Sequence, residues 1–365
     1  MECNFSNKFR NIFLFLYVAL IATLLFLTPF SQTEANILYS QNITIESFIV
    51  QKIYKYFHTY WSMRLPFFIL SLLSIAIYMR IIEVYFKKES IYYNLALLVY
   101  LLIPGVTLSF ILVNYATVPI FLTLLILYAN IRGNRLLLII TSVLLLFTHS
   151  AQFVVYLALA FYGYKKKEWW LFLLGIAFVL LASVVSTYDI DGVPKGHLTQ
   201  IIGIYAAIFS PILFLVVVYS IYRWAIKGSF DLLWYIVATS FIVSILLSIR
   251  QAIKITDFAP FVVLAIPIVV TIYRDSLVIR LPEFRRFYYI LCKTVLTVLL
   301  LETSLIFLHY PLYKYTHFKE ILLDSSMYEI PKIVLELKNS GKVCKDEIDN
   351  HDLTLYHYYG IRRCK

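Results

Sequence analysis

Residues 11–36 read NIFLFLYVALIATLLFLTPFSQTEAN. The first twenty of them, 11–30, contain no charged side chain. At 1.5 Å per residue a helix of that length is about 30 Å long, the thickness of a bilayer's hydrocarbon core. Lys8 and Arg10 precede the run, and a polar segment with one carboxylate, Glu34, follows it at once. The run exceeds the 7–15 residues of a signal-peptide core and no A-x-A cleavage site follows, so it reads as an uncleaved anchor. Glu34 is therefore expected to stay at the mouth of a membrane span.

The rest of the chain repeats the pattern. Of 365 residues, 61% are hydrophobic and only 15% charged, against about 25% charged in an ordinary soluble domain. Apolar runs fall near 11–30, 65–86, 91–108, 111–130, 136–148, 151–164, 168–187, 201–222, 230–249, 257–273 and 289–308. The expected fold is an all-α polytopic membrane protein of about 11 transmembrane helices over residues 1–308, followed by a small unit over 309–365. A large soluble catalytic domain is excluded. The spans near 136–148 and 151–164 are short, but His149, Ser150 and Gln152 interrupt the run between them. Short helices meeting below a water-filled cavity tolerate such polarity.

The net charge of +11 would suggest nucleic acid in a soluble protein. Here the basic residues sit in short loops, so no nucleic-acid partner is expected. With the amino terminus cytoplasmic, that side collects Lys8, Arg10, Lys87, Lys88, Arg132, Arg135, Lys165, Lys166, Lys167, Arg223, Lys227, Arg274, Arg280, Arg285, Arg286 and Lys293. The opposite side receives Lys52, Lys55, Arg64, Lys195, Arg250 and Lys254. This is the positive-inside pattern. It predicts a multi-pass plasma (inner) membrane protein with its carboxyl terminus exoplasmic or periplasmic, and membrane lipid as its surroundings. No fixed period repeats, and no two Gly/Pro-broken spans stand at matching positions in two halves, which weighs against an inverted-repeat transporter.

The first exoplasmic loop, 31–63, holds Ile45, Phe48, Ile49, Ile53, Tyr56 and Phe57 at helical spacing, with Thr44, Ser47, Gln51 and Lys55 on another face. That pattern predicts an amphipathic helix lying on the outer leaflet. A carboxylate such as Glu34 beneath a helix of this kind is placed to take a proton from a hydroxyl at the membrane boundary. A solvated loop residue is the alternative.

The order of first span, Thr33-Glu34-Ala35, amphipathic loop helix, Met63-Arg64-Leu65-Pro66-Phe67-Phe68 at the second span and Pro104-Gly105 near the end of the third resembles one class of protein. These are the integral-membrane glycosyltransferases that use polyprenyl-phosphate sugars, the GT-C type. The likeness is narrower to the branch containing protein O-mannosyltransferases and the lipid A aminoarabinose transferase. Asn114 and the run Leu124–Ala129 also look similar. The resemblance implies a GT-C-like fold, a polyprenyl-phosphate-linked sugar donor, an exoplasmic acceptor (lipid, glycan or protein) and inversion at the anomeric carbon. It makes Glu34 the general base. Many family members carry Asp-Glu where this chain has Thr33-Glu34, and the Glu-Lys-Pro-Pro-like segment common later in their loop is absent.

Transfer from a lipid phosphate expels an anionic leaving group, so the site needs a base for the acceptor and positive charge for the phosphate. Exoplasmic candidates for the phosphate are Arg250, Lys254, Lys195 and Arg64, with Arg250 favoured. Headgroup contact by snorkelling side chains is the alternative for each. No obligate metal is expected. A divalent ion would have to draw on His58, His149 and His197 with Asp189 or Asp191, and no H-x-x-x-H or Cys-x-x-Cys spacing supports one.

The tail, 309–365, returns to ordinary polarity. Residues 330–341 read as a helix ending at Gly341 and 353–359 as a strand-like piece, a small exoplasmic α/β unit. Cys344 and Cys364 could close a loop of about 20 residues with a disulfide, worth about 3 kcal/mol. Two other functions stay open: a transporter or flippase for a lipid-linked substrate, and a non-catalytic scaffold for envelope glycan assembly.

Overall fold

The computed structural model describes residues 7–42, 44–148, 151–185, 197–250, 254–315, 326–340, 344–345, 348–349 and 352–364. Helix α1 (Asn7–Leu27) is the first span, and two short pieces follow, α2 (Gln32–Leu38) and α3 (Ile45–Phe57). Both begin with a reciprocal cap: Ser31 with Glu34 on α2, Thr44 with Ser47 on α3. Such boxes satisfy amide protons that a helix start leaves open. His58, with φ 52°, ends α3 in the left-handed region. The chain then enters α4 (Tyr60–Tyr85), which carries Pro66 within its first two turns.

The expected amphipathic helix exists, but its apolar face divides. Ile45, Ile49 and Ile53 pack against the bundle, whereas Phe48, Tyr56 and Phe57 stay exposed. Glu46, Ser47 and Val50 form the buried edge.

Next come α5 (Ile91–Leu102), α6 (Pro104–Ile111), α7 (Thr117–Arg132) and α8 (Arg135–Leu145). The expected span 91–108 is not one straight helix. Proline excludes its predecessor from helical geometry and lacks an N–H, so Ile103 turns extended (ψ 123°) and the axis bends by 62°. The expected start of the next span also moves, because Leu112–Ala116 form a loop and α7 begins only at Thr117.

Between 136 and 164 the chain makes two helices, α8 and α9 (Phe153–Lys166). It doubles back between them: the Tyr156 hydroxyl donates to the Ser142 carbonyl at 2.7 Å. Helix α10 (Trp169–Val185) then lies so close to α9 that a Cβ on Gly175 would stand 2.5 Å from the backbone nitrogen of Ala160.

The expected span 201–222 is also broken. Helices α11 (Leu198–Phe209) and α12 (Pro211–Lys227) meet at 105° across Ser210, whose φ is 78°. The two elbows touch, since a Cβ on Gly105 would fall 2.6 Å from Cγ2 of Ile208.

Helix α13 (Leu232–Arg250) is followed by a 3-10 turn, Ile255–Asp257, then α14 (Ala259–Val262), α15 (Ile266–Ile279) and α16 (Pro282–Phe307). The helical span expected from 257 starts at Ala259 and runs on to Ile279, which leaves Asp257 outside it. Among the described residues five helices are long and apolar enough to cross a bilayer, or seven with the two bent pairs. Shorter apolar helices stand beside them, α7, α8 and α10.

The carboxy-terminal part contains α17 (His309–Tyr315), α18 (Ser326–Asn339), β1 (Cys344–Lys345), α19 (Leu353–Tyr358) and β2 (Arg362–Arg363). The strand-like reading of 353–359 is overturned. Neighbours Leu355 and Tyr356 are both buried, which a strand would place on opposite faces and a helix need not. The strands are instead the two short segments flanking α19, paired in parallel with Cys344 opposite Arg362. Cys344 and Cys364 are joined by a disulfide. The helix expected over 330–341 begins earlier, at Ser326, with Pro331 inside it.

Candidate active site

Glu34 is 2% exposed and Arg64 1%. Their side chains meet in a two-pronged pair, Nε to Oε1 at 2.6 Å and Nη2 to Oε2 at 2.7 Å. The carboxylate also accepts the Ser31 N–H at 2.9 Å and the Val113 N–H at 3.1 Å. Four donors occupy the four lone-pair positions a carboxylate offers. Arg64 sends its remaining N–H groups to the carbonyls of Leu25 (2.8 Å), Thr28 (2.8 Å) and Pro29 (2.7 Å) and to the Thr28 hydroxyl (2.6 Å). Its guanidinium lies 5.2 Å from the centre of the Tyr60 ring.

The sequence-based expectation separated these residues, with Glu34 on a hydroxyl and Arg64 on a phosphate. The structure brings them together and uses each on the other. The pair ties the end of α1, the start of α2, the entry of α4 and the loop after α6 into one knot. As held, Arg64 has no N–H left for a phosphate, and Glu34 no free lone pair for an incoming proton.

A second cluster lies beyond that loop. Tyr115, two residues after Val113, has its hydroxyl proton held on, with a pKa pushed up to about 12. Burial is the main cause, and the negative charges of Glu46 and Asp257 add to it. Glu46 comes from the first turn of α3 and is fully buried. Asp257 comes from the 3-10 turn before α14 and is 5% exposed. Backbone bonds converge here: the Ile45 N–H donates to the Phe147 carbonyl at 2.9 Å and the Ala151 N–H to the Asp257 carbonyl at 3.3 Å. The segments flanking the break between α8 and α9 are thus joined to the start of α3 and to the turn before α14, which carry the two carboxylates whose charge acts on Tyr115.

Burial pushes the Asp257 carboxyl up to about 7, while the charge of Lys254 and a hydrogen bond from Thr256 pull the other way. Lys254 is exposed, and the Asp257 N–H donates to its carbonyl at 3.1 Å. Arg250, the favoured phosphate candidate, sits exposed in the last turn of α13. Lys195, His149, Asp189 and Asp191 lie outside the described residues. Among the described residues no group of three or more His, Cys, Asp or Glu is gathered as a metal would require.

Sequence reading passed over Glu46 and Asp257, although signals existed. Glu46 precedes Ile49, Val50 and Ile53 by three, four and seven positions, so it lies among apolar side chains on a helix. A carboxylate there demands a reason. Asp257 opens the apolar run counted from 257 as Glu34 follows the first one, so each stands at the mouth of an expected span.

The carboxy-terminal unit closes over the first loop. Thr354 donates to Oδ1 of Asn36 at 2.7 Å and accepts from Nε2 of Gln32 at 2.8 Å. Tyr358 stacks on Phe30 with ring centres 4.0 Å apart, and His357 meets Tyr39 edge-on at 4.7 Å. The Tyr359 hydroxyl is pushed up to about 12, by burial first and then by the charges of Tyr60 and Glu34.

No family model matches the sequence, and no curated protein does. Two solved structures resemble the chain. The crystal structure of ArnT from Cupriavidus metallidurans bound to undecaprenyl phosphate superposes with a TM-score of 0.57 and 12% identity, over 96% of this chain and 85% of that one. The apo state of the same protein gives 0.52 and 13%, over 90% and 69%. The chain has the GT-C fold of ArnT. That fold accounts for the many apolar helices of a multi-pass membrane protein. Its likeness to the undecaprenyl phosphate-bound ArnT structure covers 96% of the chain.

Proposed function

We propose that the chain is an inverting glycosyltransferase that moves a sugar from a polyprenyl-phosphate donor to a hydroxyl on the exoplasmic side of an inner membrane. The observation that carries this reading is the likeness, over 96% of the chain, to ArnT bound to undecaprenyl phosphate. The buried carboxylates Glu46 and Asp257, beside the exposed cation Lys254, supply the kind of groups that chemistry needs at one end of the bundle. The departing phosphate is stabilised by Lys254, with Arg250 and Lys195 as further cations. A single displacement by a hydroxyl opposite that phosphate inverts the anomeric carbon. The saturated hydrogen bonding of Glu34 and Arg64 supports a positioning role for both: they fix the first loop and the Val113–Tyr115 segment under the site. The acceptor is a lipid, glycan or protein, and its class is an outcome of the test.

The test compares surface lipids, glycans and glycoproteins, by mass spectrometry, from cells with the wild-type chain and with the gene deleted. The deletion is expected to lose one sugar-mass increment. Purified protein given a polyprenyl-phosphate sugar and deletion-strain membranes is expected to restore it. A second reading, transport of the lipid-linked donor, draws on the two broken helices that meet at Gly105 and Ile208, since interrupted helices line many transport sites. It would be favoured if the deletion loses the increment while purified protein carries the donor across vesicles and consumes none.

A further inference from the structure

With Glu34 fully engaged, the transfer needs another proton acceptor. Asp257 is buried, yet its Oδ1 has no hydrogen-bond partner among the described residues. A buried polar atom without a partner costs free energy, and a function is one reason to keep it. Its backbone is held on both sides, by the Lys254 carbonyl and by the Ala151 N–H. The Ser240 hydroxyl further fixes the next residue by donating to the Phe258 carbonyl at 3.0 Å. The carboxylate therefore stands on a rigid turn at the mouth of the α14–α15 segment, beside an exposed lysine.

We propose that Asp257 is the general base of this chain, a reading that rests on the glycosyltransferase assignment. The acceptor oxygen attacks the anomeric carbon of the donor, and the bond from that carbon to the phosphate oxygen breaks, its electron pair leaving with the polyprenyl phosphate. The acceptor proton passes to Oδ1 of Asp257. Lys254, two residues before the 3-10 turn's middle position, offsets the negative charge of the leaving phosphate. The charged and titratable groups that interact with Asp257 are Lys254 on its own segment and Tyr115 from the loop after α6, and Glu46 from α3 acts on the same Tyr115. Burial holds the proton on this carboxyl, against the pull of Lys254 and Thr256, so that it exchanges near neutral pH.

The experiment uses full-length protein in bilayer discs with a polyprenyl-phosphate sugar donor. Asp257→Asn is expected to lower kcat about 100-fold or more, the scale of a lost general base, with polyprenyl-phosphate affinity changed by less than about 3-fold. Asp257→Glu, which keeps the carboxylate but moves it, is expected to recover part of the rate with a displaced acid limb in the pH profile. It also serves if the asparagine variant fails to fold. Normal kcat in Asp257→Asn, or an unaltered rate and pH profile in Asp257→Glu, overturns the inference and leaves the glycosyltransferase reading standing. Absence of transfer by wild-type protein with every donor tried overturns both.

Discussion

Glu34 and Arg64 illustrate what burial demands of charge. Neither could be taken out of water alone, and together they satisfy each other and five backbone carbonyls or amides around them. Removing one partner of such a pair costs about 3–5 kcal/mol, because the other is left buried and unpaired. Arg64→Met should therefore lower the melting temperature of the detergent-solubilised protein sharply. Adding Glu34→Gln should return part of the loss, since it removes the stranded charge. Further destabilisation by the second change would show that the pair does not act as a unit. Both residues stood out in the sequence, as the acidic residue after the first span and the Arg-Leu-Pro entry to the second. Their partnership did not, because nothing local links positions thirty residues apart. Asp257 makes a separate prediction. Its carboxyl titrates near 7 in the folded protein against 3.8 when unfolded. Between about pH 4 and 7 the folded state holds a proton that the unfolded state has released, so stability falls as pH rises through that window. Melting temperatures of wild type should decline from pH 5 to 8 more steeply than those of Asp257→Asn. If ionised Asp257 takes the acceptor proton, kcat/KM should instead rise over the same range, with an acid limb near pH 7.

Helices α9 and α10 pack through glycine. A Cβ at Gly175 would meet backbone atoms of Ala160 at 2.5 and 2.8 Å, and one at Gly163 would meet the Phe172 nitrogen at 2.5 Å. Backbone cannot swing aside as a side chain can, so Gly175→Ala should force the hairpin apart and cost about 1–3 kcal/mol. Gly203, inside α11, has open space where its Cβ would be. Gly203→Ala should be neutral or stabilise by about 0.5–1 kcal/mol, the usual gain of alanine over glycine in a helix. Thermal unfolding of the two variants checks the contrast, and equal effects would contradict it. The apolar stretches were legible as helices because runs of Leu, Ile, Val and Phe between charged loops leave few alternatives. The elbows at Ile103–Pro104 and Ser210–Pro211 were harder to read. Hydrophobicity continues straight across both, so the composition marks one span where the backbone makes two helices. Prolines carried the information, but the bend also needs the left-handed Ser210 and the contact of Gly105 with Ile208, which only the folded chain supplies.

At the level of the molecule, composition alone led to a polytopic bundle, and the GT-C fold of ArnT agrees with it despite 12–13% identity. Fold survives where sequence does not, because the bilayer asks only that helices be apolar and that their packing faces fit. The carboxy-terminal unit was misread at α19, since six residues of alternating pattern suit a strand or a helix equally. Orientation is the remaining test at this scale. The distribution of Lys and Arg predicts that α18 and α19 face the exoplasm. A cysteine placed at Leu335, which is exposed, should react with a membrane-impermeant maleimide added to intact cells, whereas one placed at exposed Lys167 should react only after lysis. The opposite pattern would reverse the topology.

The seat of α19 on α2 couples the order of synthesis to the order of assembly. Phe30, Gln32, Asn36 and Tyr39 leave the ribosome ahead of α4 to α16, while the side chains that cover them, Thr354, His357 and Tyr358, emerge after all of those helices. The first loop must wait for the last element to be made and for Cys344 to find Cys364. Until then its aromatic face is bare. A chain stalled or cleaved before α19 would thus display that face to chaperones and proteases, and arrival of the last helix becomes something the cell can inspect on the first loop.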